Sequence, residues 1–409
     1  MNEYVFRLEN GIRVLLHPQK SSITHTCLLI NAGSGDELPG KFGVAHFIEH
    51  MLFKQTQRRN TTQILDRLES VGGDLNAYTT KEYTCIHASV LKPYLSRALD
   101  LFEDIIFHST FPDHEIEKEK GVILDEMASY LDSPEEAIGD DFEDLIFKGS
   151  GLGHNILGVE QDLKSIQRED LLTFIQNNYN TEDIVIAVAG DYTKAQIEKL
   201  ANKFFGSLPK RQVVKSDKKA LVTAATQLII PKPINQVHYM LGTQAYGSKD
   251  DRKTGLLLLN NQLGGLGMSS ILNLSIREKH GIAYTIESNY ALYTHTGLFN
   301  IYLGTDEEKI EKAIKLVWKA LEKLKANPLS DYQLTKAKNK FKGQIALAEE
   351  NRMSMIISEA KNLLDYDYVV TLEEVFGKID MITPQLIHDI AVDIFDPAKM
   401  TSLTFMPED

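Results

Sequence analysis

The chain has 409 residues, 43% of them hydrophobic, enough to bury more than one core and to suggest two or more domains. Its 44 basic against 57 acidic residues leave a net charge of −13, which argues against nucleic acid as a partner and suits basic peptides if the negative field is focused. The two cysteines, Cys27 and Cys85, each lie in a strand-like alternating segment, so buried reduced thiols are expected rather than a disulfide framework. The start carries no basic stretch leading into an apolar one, and no run reaches the ~18 apolar residues of a membrane span. A soluble, cytoplasmic chain without membrane attachment is the expectation.

In chain order, strands are predicted near Tyr4–Leu16 and Thr24–Ala32, then an apolar helix across Val44–Phe53 and strands around Leu75–Val90. Helices follow near Pro93–His108, Asp113–Tyr130, Glu135–Phe147 and Arg168–Asn178, then a strand Asp183–Ala189 and a helix Lys194–Phe205. Strands mixed with long amphipathic helices predict an α+β fold, a mixed or antiparallel sheet layered with helices. Between Leu208 and Ala225 the pattern breaks into a basic, uneven stretch, PKRQVVKSDKK, that reads as a linker. The expected division is a domain 1–209, a linker 210–224 and a domain 225–409.

After the linker the order of elements begins again. Ser330 to Ile345 can be laid over Pro112 to Met127 with one constant offset of 218, matching Asp331 to Asp113, Leu334 to Ile116 and Lys336 to Lys118. The helical pattern survives while two carboxylates are lost, Glu119 falling on Ala337 and Glu126 on Gln344. An internal duplication with one degenerate copy accounts for this most simply.

His46, Phe47, Ile48, Glu49 and His50 form an H-x-x-E-H block within the apolar helix. Positions three and four apart share a helix face, so His46, Glu49 and His50 point the same way. Two neutral imidazoles one turn apart can take two corners of a zinc tetrahedron, with the carboxylate beside the water position as a base. A third ligand is needed, and the helix near Asp113–Tyr130 offers Glu119 and Glu126, seven residues apart on one stripe.

With these spacings the chain resembles the pitrilysin and insulin-degrading enzyme clan of zinc peptidases, closest to its short bacterial and mitochondrial processing-peptidase branch. The resemblance implies that Zn2+ is held by His46, His50 and Glu126, that Glu49 is the catalytic base, and that Glu119 orients a ligand from behind. Gly72 to Thr79 resembles the segment whose edge strand pairs with substrate, which implies substrate contacts at Asn76, Ala77 and Tyr78. In the second half, Arg277 to Tyr284 (REKHGIAY) is similar to the signature whose Arg and Tyr reach substrate at the metal, so Arg277 and Tyr284 become candidate catalytic residues. Ile271, where a basic residue is usual, and an extra residue within Gly264–Gly267 depart from the pattern and bear on substrate preference.

The function so implied is zinc-dependent endopeptide hydrolysis of unfolded peptides or presequence-like segments inside an enclosed chamber. Because one chain carries both half-signatures, a clamshell homodimer is expected, each zinc site served by Arg277 and Tyr284 of the other subunit. The alternatives are a structural or assembly homologue without activity, against which the intact motif weighs, and a catalytic subunit that needs a different partner chain.

Overall fold

The computed structural model describes residues 3–213 and 224–408, so most of the segment read as a linker lies outside the described residues. The strand expected near Tyr4–Leu16 is a hairpin. β1 (Val5–Arg7) pairs antiparallel with β2 (Arg13–Pro18), Val5 opposite Leu15. The chain reverses through Gly11, whose φ of 98° lies in the left-handed region that a side chain disfavours.

β3 (Ile23–Ile30), β4 (Asp74–Thr79), β5 (Thr84–Leu91) and β6 (Ile184–Gly190) complete a six-stranded sheet in the order β1-β2-β6-β3-β5-β4. β2 and β6 run parallel, and the other pairs are antiparallel. Every residue of β6 is buried, which is why its sequence IVIAVAG is continuously apolar rather than alternating. Leu28, Ile86, Ile186 and Val188 pack on one side of the sheet with Phe47 and Ile48 of the helix Val44–Met51 and with Leu99 and Phe102 of the helix Leu95–Phe107. Alternate residues, among them Leu15, Cys27, Leu29, Cys85 and Val185, pack on the other side with Ile356, Ala360 and Leu363 of the helix Arg352–Tyr366. Both cysteines are free and fully buried there, as reduced core thiols.

A second sheet is built from β7 (Gln227–Lys232), β8 (Val237–Ala245), β9 (Ala283–Leu292), β10 (Gly297–Thr305) and β11 (Thr401–Pro407), in the order β7-β11-β8-β10-β9. Its β7 and β11 are parallel and its other pairs antiparallel. Without the β1 hairpin, the first sheet has the same topology: first strand beside fifth, fifth beside second, second beside fourth, fourth beside third. The helices Asp113–Leu131 and Asp331–Ala348 begin at the positions that the offset of 218 relates. Two α+β repeats with mixed sheets are therefore present in one chain.

The two compact units of the structure do not follow the contiguous division 1–209 and 225–409. Among the described residues, Ala128–Gly153 group with the second sheet and Leu347–Val370 with the first. The reason is burial. Each sheet is apolar on both faces, and the face left bare by its own repeat is covered by a helix from elsewhere in the chain. For the second sheet that helix is Pro134–Ile146, whose Ile138 and Phe142 pack with Met240, Leu298 and Phe405. Among the described residues no helix is long and apolar enough to cross a membrane.

Candidate active site

The helix Val44–Met51 starts on a glycine for steric reasons. Gly43 has a φ of 93°, and a Cβ there would lie 2.5 Å from the Leu157 carbonyl oxygen. Where a side-chain cap would normally stand, the helix uses Glu37 from the preceding loop. Glu37 Oε2 accepts from the Gly43 backbone N–H and Oε1 from that of Ala45, each at 2.8 Å. His154 Nε2 sits 2.9 Å from Glu37 Oε2. An anion at a helix N-terminus also favours the helix dipole, although burial pushes the Glu37 carboxyl up.

From this start the helix carries His46, Glu49 and His50 on one face. One ligand atom from each of His46, His50 and Glu126 lies within 4.8 Å of the others. His46 Nε2 is 3.8 Å and His50 Nε2 3.4 Å from Glu126 Oε2. A tetrahedron with metal–ligand bonds near 2.0–2.1 Å has edges of about 3.4 Å, so both contacts to Glu126 are close to the edges a zinc-sized ion would need. Burial, and next to it the neighbouring His50, lower the His46 pKa to about 3, so the ring is neutral and its nitrogen free to ligate. Glu126 is exposed, which opens this corner to solvent and to a substrate.

Glu119, one turn pair earlier on the same helix as Glu126, is buried behind His50. Its Oε1 lies 2.9 Å from His50 Nδ1, and its Oε2 is 2.6 Å from Lys54 Nζ. With Nδ1–H donating to the carboxylate, Nε2 keeps its lone pair for the metal side. Lys54 was not anticipated, although it stands one turn beyond His50 and so on the same face.

Glu49 makes no contact of the ligand kind. Its Oε2 accepts from the Thr79 hydroxyl at 2.6 Å, and burial pushes its carboxyl up from the ordinary range. The buried phenol of Tyr179 is raised first by burial and then by the Glu49 charge. Thr79 and Tyr179 are the neighbours of Glu49 that the sequence reading missed. Alternation puts Thr79 on the same side of β4 as Ala77, but nothing in the sequence says that this side meets Glu49.

β4 is the edge of the first sheet, paired with β5 alone. Asn76 and Ala77 lie on it, with the Ala77 N–H donating to Asn76 Oδ1 at 2.9 Å. Leu75 and Ala77 pack into the core that holds the metal-site helix. Tyr78 does not. Strand alternation turns it to the opposite face, where it meets Tyr83 and lies in the cluster with Cys85. Its side chain therefore faces away from the metal ligands, and only its backbone shares the edge.

Arg277 and Tyr284 belong to the second unit. Arg277 is in a π-helical turn, Asn273–Glu278, and Tyr284 is near the start of β9. Both line one cavity of about 470 Å³. Tyr284 is exposed and its hydroxyl donates to Asp306 Oδ1 at 2.8 Å. In this repeat, Gln344 stands at the Glu126 position. It accepts from Asn261 Nδ2 at 2.7 Å and donates to the Leu266 carbonyl at 2.9 Å. A neutral amide stands here in place of the carboxylate.

Residues 13–160 match the family model described as insulinase, peptidase family M16, and residues 165–341 match that of the peptidase M16 inactive domain. The chain is 32% identical to the uncharacterized zinc protease YmxG of Bacillus subtilis, over 95% of each chain. It is 32% identical to an uncharacterized zinc protease of Rickettsia felis, over 100% of this chain and 98% of the relative. A protease from Helicobacter pylori has the same fold, with a TM-score of 0.91 at 22% identity over 98% of this chain and 99% of the other. So does a peptidase M16 inactive domain from Pseudomonas fluorescens, with a TM-score of 0.91 at 21% identity over 100% and 99%.

Proposed function

Because the chain belongs to the M16, or insulinase, family of peptidases, we propose that it is a zinc endopeptidase that cuts unfolded peptides or presequence-like segments. The observation that carries this reading is the convergence of His46, His50 and Glu126 within 4.8 Å, with Glu49 beside them. A zinc ion bound by these three residues supplies a Lewis acid for the scissile carbonyl and a lowered pKa for water at the site.

The chain's own residues do the rest. Glu49 takes a proton from the attacking water as the C–O bond forms, and delivers it to the amide nitrogen as the C–N bond breaks. With Oε2 engaged by Thr79, Oε1 is the oxygen that moves the proton. Glu119 holds the His50 ring in one tautomer. An extended substrate adds to the free edge of β4 through backbone hydrogen bonds, which selects for unfolded chains more than for sequence. Arg277 holds a substrate carbonyl or carboxylate, and the Tyr284 phenol stabilises the developing oxyanion after exchanging Asp306 for substrate. The working form is a homodimer in which these two residues serve the other subunit's metal.

Metal analysis of the purified protein tests this together with a quenched-peptide assay. The expected result is about one zinc per chain and cleavage abolished by a chelator. Glu49→Gln should keep the metal and lose cleavage, whereas His50→Ala should lose both. A protein that takes up no zinc after addition of the ion would refute the reading.

A further inference from the structure

Thr79 is the last residue of β4, and its hydroxyl holds the Glu49 carboxylate. The hydroxyl lies 2.6 Å from Glu49 Oε2. Thr79 pairs with Thr84 of β5 in the sheet register, so its position is set by the strand rather than by a flexible loop. Strand alternation places its side chain with Leu75 and Ala77, on the side of the metal-site helix.

Two features of one strand meet in this residue. β4 has one open edge, where an extended chain can add, and it ends on the group that fixes the carboxylate. A glutamate side chain has three rotatable torsions, and an unheld one samples many of them. With Oε2 tied to a strand, a single oxygen is left facing the reacting water. An edge strand is more mobile when it is paired on one side only, and an added strand orders it.

We propose that Thr79 is a positioning residue which fixes Glu49 for proton transfer and couples that placement to occupancy of the β4 edge by an extended peptide. Thr79 acts through Glu49, and its role rests on Glu49 serving as the base. The coupling gives the enzyme a means of favouring substrates long enough to pair along β4. A short peptide that reaches the metal without pairing leaves the strand, and with it Glu49, less well ordered.

The test uses the full chain and compares Thr79→Val, which keeps shape and the backbone N–H, with Thr79→Ser, which restores the hydroxyl. Zinc content, thermal midpoint, kcat and KM are measured on a long unfolded quenched peptide and on a truncated one too short to span β4. For Thr79→Val, kcat on the long peptide should fall about 10- to 100-fold, as outer-shell losses do, with zinc content and KM within about twofold. Thr79→Ser should stay within about threefold of the parent, and the Val variant should lose less on the short peptide than on the long one. Should Thr79→Val not fold by circular dichroism, Thr79→Ala supplies the same comparison. A kcat within about twofold of the parent for Thr79→Val overturns the proposal, as does an equal loss in Val and Ser or a loss that follows zinc content. Glu49→Gln run alongside separates the two levels. An inactive Glu49→Gln with a normal Thr79→Val removes only the role of Thr79, whereas an active Glu49→Gln removes the base and the role of Thr79 with it.

Discussion

His50 and Glu119 are locked together through His50 Nδ1 at 2.9 Å, on the side of the ring opposite the metal position, while Glu126 stands 3.4 Å from Nε2. The two glutamates lie seven residues apart on one helix, so the same two turns bring both carboxylates to the His50 ring.

Glu119→Gln should therefore keep the fold and weaken zinc binding by about 10- to 100-fold, because the amide still accepts from Nδ1–H but no longer carries the charge that makes the ring a better donor. Competition with a zinc-binding dye reads this directly. Unchanged zinc affinity would remove Glu119 from the metal centre.

Glu37 caps the metal-site helix with a fully buried side chain. Glu37→Ala would leave the Gly43 and Ala45 N–H groups and the His154 ring without their partner, at a cost of about 3 kcal/mol or more in unfolding free energy. Denaturant titration of the metal-free protein measures it, and a loss below about 1 kcal/mol would show that water replaces the carboxylate.

His17 of β2 lies 3.0 Å from Glu359 on the helix Arg352–Tyr366. The hydrogen bond to Glu359 raises the His17 pKa, against an opposing effect of burial. A raised folded value means that the contribution is fully present below the ordinary imidazole value of about 6.5 and is lost as pH rises through the folded pKa. Glu359→Gln should accordingly destabilise the protein by about 1 kcal/mol or less near pH 6 and hardly at all near pH 9. An effect that is equal at both pH values would show that the pair works through packing alone.

If Arg277 and Tyr284 serve the metal of a second subunit, inactive Glu49→Gln and inactive Arg277→Ala proteins should regain activity when mixed and allowed to exchange subunits. Statistical exchange restores about a quarter of the sites, read as peptide cleavage against each variant alone. No recovery after exchange has been demonstrated by differential labelling would assign the pair to its own chain.

Much of the site was legible because its parts are local. His46, Glu49 and His50 are fixed on one face by helical periodicity, and Glu119 and Glu126 by the same rule on a second helix. Among the strands, Asp183–Ala189 falls within one residue of β6, whereas Tyr4–Leu16 is a hairpin of two; the helices Arg168–Asn178 and Lys194–Phe205 have the boundaries that periodicity assigns. Tyr78 shows the limit. Alternation predicts the strand, but the sheet that receives it decides which side of it meets the helix Val44–Met51, and here the Tyr78 side chain is on the other side.

Local spacing alone put His46, Glu49 and His50 on one helix face and revealed the repeat through one constant offset, whereas choosing Glu126 as the third ligand rested on the resemblance to the family. Only the tertiary structure decided that Thr79 holds Glu49, that Glu37 caps the metal-site helix, and that the helices Pro134–Ile146 and Arg352–Tyr366 cover sheets outside their own sequence halves. A helical period is a property of a few consecutive residues, whereas these contacts join residues brought together by burying apolar sheet faces. That burial is non-directional and leaves no spacing rule in the chain.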